Sequence, residues 1–186
     1  MFLISKIIFF IMSWLFAAFT LIPIIVLKFM LKSTLKGIPG LLIKLGIGFG
    51  AAFGAAAVSG SCPQLGLVLI VFAIIMGEFF GTLGAFLGPR LPWIGSAIEP
   101  AVAPISGSLY ILLILTLILF ILHILSILAI IPIIGTIILI ADLVIPLIII
   151  AIIWSSYTGA IGGISDCIGG GLISIPGIRG DVGIGI

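Results

Sequence analysis

Charged side chains are scarce in this sequence, since Asp, Glu, Lys and Arg make up 6% of its 186 residues while 63% of the residues are hydrophobic. Soluble globular domains carry about 25% charged residues. A chain this poor in charge cannot coat a soluble domain of its length. The composition therefore excludes a soluble domain and predicts an all-α integral membrane protein, a polytopic bundle whose backbone polar groups are satisfied within helices.

Histidine and cysteine are equally few. There is one histidine, His123, and the two cysteines, Cys62 and Cys167, lack CxxC or zinc-ligand spacing. We expect no enzyme activity, no cofactor and no metal, and we interpret the cysteines as small apolar packing residues. A net charge of +2 with no basic run between aromatics also argues against a nucleic-acid partner, and no soluble small-molecule substrate is inferred.

Long apolar runs are what the sequence does contain. A helix needs about 20 apolar residues to cross a hydrocarbon core about 30 Å thick. The segments that qualify or nearly do are 7–27, 45–61, 65–87, 109–131 and 133–154. The second is short and rich in glycine and alanine, so it is either a crossing or a re-entrant segment. We expect five crossings, or four in the re-entrant case.

The last two segments need a turn between them, and Pro132 with Gly135 supplies it because proline interrupts a helix. After them, residues 155–186 form a glycine-rich apolar tail whose only charges are Asp166, Arg179 and Asp181. We expect this tail to pack at the membrane surface.

Lysine bias predicts the orientation. Four lysines lie between the first two segments: Lys28, Lys32, Lys36 and Lys44. Positive loops face the cytoplasm, so five crossings predict an external N-terminus and a cytoplasmic C-terminus. Cys62 would then lie outside and Cys167 inside, too far apart to pair. The spacing of the first three lysines fits an interfacial helix on anionic lipid or an ordinary topology signal, and all four are interpreted as lipid-surface residues.

Three ionisable side chains fall inside the apolar segments: Glu78, His123 and Asp142. Counted from the Pro132–Gly135 turn, His123 and Asp142 lie within about 3 Å in depth, and Glu78 is about 15 Å from the end of its own segment. All three are therefore expected near the bilayer midplane. Buried ions need hydrogen-bonded partners, so these residues form a structural polar staple or a proton or cation site, or else they are unpaired neutral groups.

Small residues flank Glu78 and recur in the segment before it. The glycines at helix-packing spacing are Gly46, Gly50, Gly54, Gly77, Gly81, Gly84 and Gly88. Facing rows of small residues let helix backbones approach closely. We therefore predict close packing of the second and third segments.

The sequence LGIGFGAAFGAAAVSG, the short loop SCPQ and the run LVLIVFAIIMGEFFGTLGAFL together resemble the helical hairpin of rotary ATPase proteolipid (c-type) subunits. The similarity covers residues 45–87, and the loop lacks the basic residue of that family. The resemblance implies that Glu78 carries an ion.

These observations predict first a non-catalytic membrane subunit with a structural or assembly role in a larger complex. Its partners would be the lipid bilayer and either other membrane subunits or further copies of the same chain. The alternative is ion or proton translocation through Glu78, His123 and Asp142.

Overall fold

The protein is an all-α bundle of apolar helices, as its composition predicts. The computed structural model describes residues 2–128, 134–161, 163, 164 and 167, and these residues contain no strand. The α-helices are α1 Phe2–Met30, α2 Gly37–Ser59, α3 Pro63–Gly77, α4 Phe79–Leu87, α5 Gly95–Val102, α6 Leu109–Ile127 and α7 Ile134–Ile161.

Four helical stretches within the described part of the chain are long and apolar enough to cross a membrane. They are Leu3–Ser33, Gly37–Ser59, Gly95–Ile127 and Gly135–Ile161, and Pro63–Gly77 is a shorter apolar helix. Large apolar side chains on the outside, such as Phe19 of α1 and Ile114 of α6, are more than half exposed. This surface requires a lipid environment, so the protein is a membrane protein.

The third apolar segment turns back on itself at Glu78. This residue separates α3 from α4 and adopts φ 49° and ψ −119°, the positive φ of a sharp turn. Gly81 of α4 lies directly against the backbone of Ala73 in α3. In one continuous helix these two residues would be about 12 Å apart along the axis. Helices α3 and α4 therefore form a re-entrant hairpin with Glu78 at its tip.

This hairpin corrects the predicted arrangement of the segments. Residues 65–87 were expected to be one crossing helix, with 45–61 as the candidate re-entrant segment. Instead α2 begins at Gly37 and is a continuous helix long enough to cross. The segment that turns back is the third one, because its helix ends after Gly77.

The bundle has two distinguishable ends. We call the end that carries Cys62 and Cys167 the cysteine end, and the end where the chain passes from α1 to α2, with Lys32 and Lys36, the lysine end. Helices α1 and α7 are antiparallel, since the Tyr157 hydroxyl donates to Thr20 Oγ1 at 2.7 Å while Lys32 lies near Asp142. The start of α1 and the end of α7 are therefore both at the cysteine end. The orientation of the chain in the membrane stays a prediction.

Cys62 and Cys167 form a disulfide, with their Cα atoms 5.3 Å apart. The prediction that these cysteines are too far apart to pair is wrong, because the end of α7 lies beside the start of α3. Helix α7 also extends beyond the predicted segment end, to Ile161. The predicted turn at Pro132 lies outside the described residues, as do most of the predicted tail and its charges Asp166, Arg179 and Asp181.

Close packing of α2 against the hairpin uses a different glycine row on α2 from the predicted one. A Cβ on Gly48 would lie 2.6 Å from the amide nitrogen of Gly81, and a Cβ on Gly77 would lie 2.6 Å from the Cα of Gly48. Gly84 faces Ala52, and Gly88 faces Ile98 of α5. By contrast, a Cβ on Gly46 or Gly50 would meet no described atom within 4 Å, and one on Gly54 would meet the side chain of Leu69. The predicted row on α2 thus faces largely away from the hairpin.

Candidate functional site

Six ionisable side chains converge inside the bundle near the tip of the re-entrant hairpin, and we call them the charged centre. They come from α1, the turn after it, α2, the hairpin tip, α6 and α7. In chain order they are Lys28, Lys32, Lys44, Glu78, His123 and Asp142.

Glu78 is the hub of the charged centre. Its side chain is 5% exposed, and each carboxylate oxygen has its own lysine. Lys28 Nζ is 3.1 Å from Oε1, and Lys44 Nζ donates a hydrogen bond to Oε2 at 2.8 Å. Two ammonium groups therefore neutralise and hold one carboxylate, which fixes the hairpin tip to α1 and α2 together.

The carbonyl groups at the end of α3 also favour a lysine beside the hairpin tip. The last carbonyls of a helix lack intrahelical partners and carry partial negative charge. Lys28 Nζ donates to the carbonyl of Ile75 at 3.1 Å, so it serves this helix end as well as Glu78. On the other side of the tip, the amide of Thr82 donates to the Glu78 carbonyl at 2.9 Å and starts α4. The sharp turn thus leaves these backbone groups satisfied.

Aromatic packing sets the position of His123. Phe120 on α6 stacks on Phe79 at a centroid distance of 4.8 Å and meets Phe80 edge-on at 5.4 Å. These two residues open α4 directly after Glu78. His123 lies three residues beyond Phe120, on the same face of α6. The hairpin tip and the imidazole are therefore held in one register.

The hydrogen bonds of His123 define its tautomer. Its Nδ1 is 2.7 Å from the carbonyl oxygen of Leu119, which can only accept, so Nδ1 carries the hydrogen. In the neutral ring Nε2 is then an acceptor, and Lys44 Nζ lies 3.3 Å from it. Asp142 Oδ1 is 3.5 Å from the same nitrogen. A second proton on His123 would therefore lie at Nε2, facing both Lys44 and Asp142.

Asp142 is the least satisfied member of the charged centre. Its Oδ2 is 3.9 Å from Lys32 Nζ, at the limit of an ion pair. Its Oδ1 is buried and has no hydrogen-bond partner among the described residues. A proton taken up between Asp142 and His123 would supply that partner.

The ligand atoms of Glu78, His123 and Asp142 lie within 4.8 Å of one another, close enough to share a metal ion. Both oxygens of Glu78, however, already contact an ammonium group. A divalent cation bound to Glu78 would lie close to the ammonium groups of Lys28 and Lys44, and these positive charges would repel it. The arrangement suits protons and anions better than metal ions.

The charged centre has an opening at the lysine end. A cavity of about 20 Å³ lies among the six side chains and Lys36, and one of about 170 Å³ lies beside it. The larger cavity, which we call the lysine vestibule, reaches from His123 and Asp142 to Ser126, Gly37 and Gly135. Toward the cysteine end, the fully buried side chains of Ile74, Leu119 and Ile149 close the bundle.

The structure brings together the three residues that sequence reasoning placed at one depth, Glu78, His123 and Asp142. The four lysines that were interpreted as lipid-surface residues differ in their burial. Lys28 and Lys44 are buried, Lys32 is half-buried, and Lys36 is exposed. Lys28 and Lys44 stand in apolar stretches, IIVLKFM and LLIKLGIG, and an isolated lysine in such a run was the available signal for a buried partner.

No protein-family model matches this chain, and neither the curated proteins nor the solved structures that were searched contain a match. The proteolipid resemblance therefore has no support from these comparisons. Its geometry also differs, since the carboxylate expected within a continuous second helix stands at a helix end in this protein.

Proposed function

We propose that the protein translocates protons or small ions across its membrane through the charged centre, without catalysing a chemical reaction. The observation that supports this proposal is the re-entrant hairpin, which places Glu78 among five other ionisable groups beside the lysine vestibule. Broken helices inside membranes occur where the backbone is buried in protein or lines a water-filled cavity.

The number of charges argues against a purely structural role for the centre. Each charged side chain deep in a membrane costs about 2.5–3.5 kcal/mol on insertion scales. A staple between two helices needs a single ion pair, whereas this centre uses six ionisable residues. Asp142 Oδ1 in addition has no hydrogen-bond partner among the described residues, and His123 Nε2 lies 3.5 Å from it. Such a pair is of use for exchanging a proton, and it adds little to holding the helices together.

We further propose that the cysteine end faces the outside and the lysine end the cytoplasm. Disulfides persist in oxidising compartments and are rare in the cytosol, which puts Cys62 and Cys167 outside. Lysine-rich connections favour the cytoplasmic side, which independently puts Lys32 and Lys36 inside. Both arguments give an external start of α1 and an external end of α7, with the lysine vestibule open to the cytoplasm.

The test is flux in proteoliposomes that contain a pH-sensitive dye. We expect the purified protein to dissipate an imposed pH gradient under a potassium-valinomycin clamp. We expect the rate to fall at least tenfold in Asp142→Asn and in His123→Gln, because neither amide can take up the proton. These two variants keep a polar side chain of similar size, so the bundle should stay folded.

Glu99→Gln is the matched control, because Glu99 is an exposed carboxylate at the cysteine end, away from the centre. It should leave flux unchanged. Equal flux in the wild type, Asp142→Asn and empty liposomes would refute the proposal, provided that all the variants elute as folded protein.

A second candidate is a structural role in a membrane assembly, and the exposed glycine face of α2 favours it. Gly46 and Gly50 present backbone to the outside of the bundle, and a Cβ at either position would have no described atom within 4 Å. Small residues at this spacing support helix association in membranes. A Cβ at either position meets open space among the described residues, so Gly46→Leu with Gly50→Leu should reduce the mass of any complex purified in mild detergent while flux is retained.

A further inference from the structure

We infer that the lysine vestibule binds a small monovalent anion, and that a proton on the His123–Asp142 pair strengthens this binding. The inference rests on the proposed function in one respect, since the bound anion would be the ion that is translocated together with the proton. Anion binding itself can be measured without any flux.

An excess of positive charge is the first reason. The small cavity at the centre is lined by Lys28, Lys32, Lys36 and Lys44 but by only two carboxylates, Glu78 and Asp142. With His123 neutral, four ammonium groups against two carboxylates leave an excess of two positive charges among these lining residues. Lys28 and Lys44 are buried with Glu78 as the one carboxylate that both contact, and charges held away from bulk water need compensation. An anion in the adjoining vestibule would supply it.

The lysines are not equally available, and the more available ones face the vestibule. Lys28 and Lys44 are each within about 3 Å of a Glu78 oxygen. Within the described part of the chain, Lys32 has only its 3.9 Å contact with Asp142, and both Lys32 and Lys36 line the vestibule. These two ammonium groups are therefore the natural ligands of an incoming anion.

The vestibule also lies at the N-terminal end of α2. Gly37 is the first residue of this helix and lines the cavity, as does Gly135 of α7. The first amides of a helix lack intrahelical partners and carry partial positive charge. No described side chain caps the start of α2. The backbone thus adds to the field of the lysines, and the Ser126 hydroxyl adds a neutral donor.

The effect of a proton on this pair depends on the ionisable groups that face His123. These are Lys44 from α2, Glu78 from the hairpin tip and Asp142 from α7, with Lys28 and Lys32 behind them. A proton shared by His123 and Asp142 would satisfy Asp142 Oδ1 and cancel the negative charge nearest to Lys32. The positive excess then rises from two to three. Anion and proton should therefore bind cooperatively.

The test uses the full chain in nanodiscs of zwitterionic lipid, with chloride or nitrate exchanged against gluconate at constant ionic strength. We expect chloride to raise the unfolding temperature, and to raise it more at mildly acidic than at neutral pH. Lys32→Gln with Lys36→Gln should abolish this rise. Lys6→Gln, which changes an exposed lysine near the start of α1, is the control and should keep it.

Three outcomes would overturn the inference: no shift with any anion, an equal shift in the double variant, or stabilisation only when anionic lipid is included. The last would assign the lysines to a lipid phosphate. Failure here can be told apart from failure of the proposed function. Proton flux without an anion effect leaves translocation standing, whereas chloride stabilisation without flux leaves only the binding site.

Discussion

Lys44 and Glu78, 34 positions apart in the sequence, form the shortest ion pair described in the structure, with Nζ 2.8 Å from Oε2. This contact joins α2 to the tip of the α3–α4 hairpin at a depth where both side chains are almost fully buried. The same ammonium reaches His123 Nε2. The ion pair therefore connects the tip of the hairpin with His123, which we propose to exchange the proton.

Glu78→Gln should destabilise the protein strongly. It leaves the buried ammonium groups of Lys28 and Lys44 without a counter-charge, and breaking a buried pair in this way costs about 3–5 kcal/mol. Reversible unfolding in mixed micelles measures the free energy of unfolding. Glu99→Gln, at an exposed carboxylate, should change that free energy by less than about 0.5 kcal/mol. A Glu78→Gln variant as stable as this control would show that the ion pairs do not hold the hairpin tip.

Removing both charges of the pair should cost less than the sum of the single changes. In Glu78→Gln with Lys44→Met, one of the two stranded ammonium groups is gone, so part of the stability returns. Contacting residues show coupling energies of about 0.5–3 kcal/mol in double-mutant cycles. The same unfolding assay applied to the four members of the cycle gives this value. Additive effects would mean that Lys44 and Glu78 do not interact.

Gly48→Leu should disrupt the bundle, while Gly46→Leu should not. Any side chain on Gly48 would collide with the backbone of Gly81, which cannot give way as a flexible side chain could. Overpacking typically costs about 1–3 kcal/mol, and a backbone collision belongs at the upper end. Gly46 has open space around it among the described residues. Thermal unfolding of the two variants in one detergent tests this, and equal melting temperatures would contradict the described packing.

Loss of the disulfide should lower stability without changing the charged centre. A disulfide that closes a long loop contributes about 2–4 kcal/mol, and Cys62 and Cys167 are separated by 105 positions. Cys62→Ser with Cys167→Ser should therefore unfold at a lower temperature and keep its flux. Mass spectrometry of a non-reduced digest should contain the peptide pair that joins the two cysteines. Recovery of both as free thiols from the native membrane would contradict the bond.

The class of the protein and the meeting of three site residues could be predicted from the sequence. Few charges together with apolar runs of about 20 residues predict helices in lipid. Counting 1.5 Å per residue put Glu78, His123 and Asp142 at one depth, and the cost of an unpaired charge away from water favours orienting such groups toward one another.

The hairpin could not be predicted in this way. Its turn depends on one residue, Glu78, in a positive-φ conformation that glutamate rarely adopts and no local pattern announces. Tertiary contacts stabilise that conformation, namely Lys28 and Lys44 on the carboxylate and Gly48 against Gly81. Because residues 65–87 were counted as one crossing, every later segment end was assigned to the opposite end of the bundle. This is why Cys167 was placed opposite Cys62.

Labelling of single cysteines in sealed, oriented membranes tests the re-entrant hairpin most directly. The variants are Thr34→Cys at the lysine end, Ser61→Cys before the hairpin and Trp93→Cys after it, each made with Cys62 and Cys167 replaced by serine. With a membrane-impermeant maleimide, Ser61→Cys and Trp93→Cys should react from the same side, and Thr34→Cys from the opposite side. Reaction of Ser61→Cys and Trp93→Cys from opposite sides would mean that residues 65–87 cross the membrane, and would contradict the hairpin and the charged centre built on it.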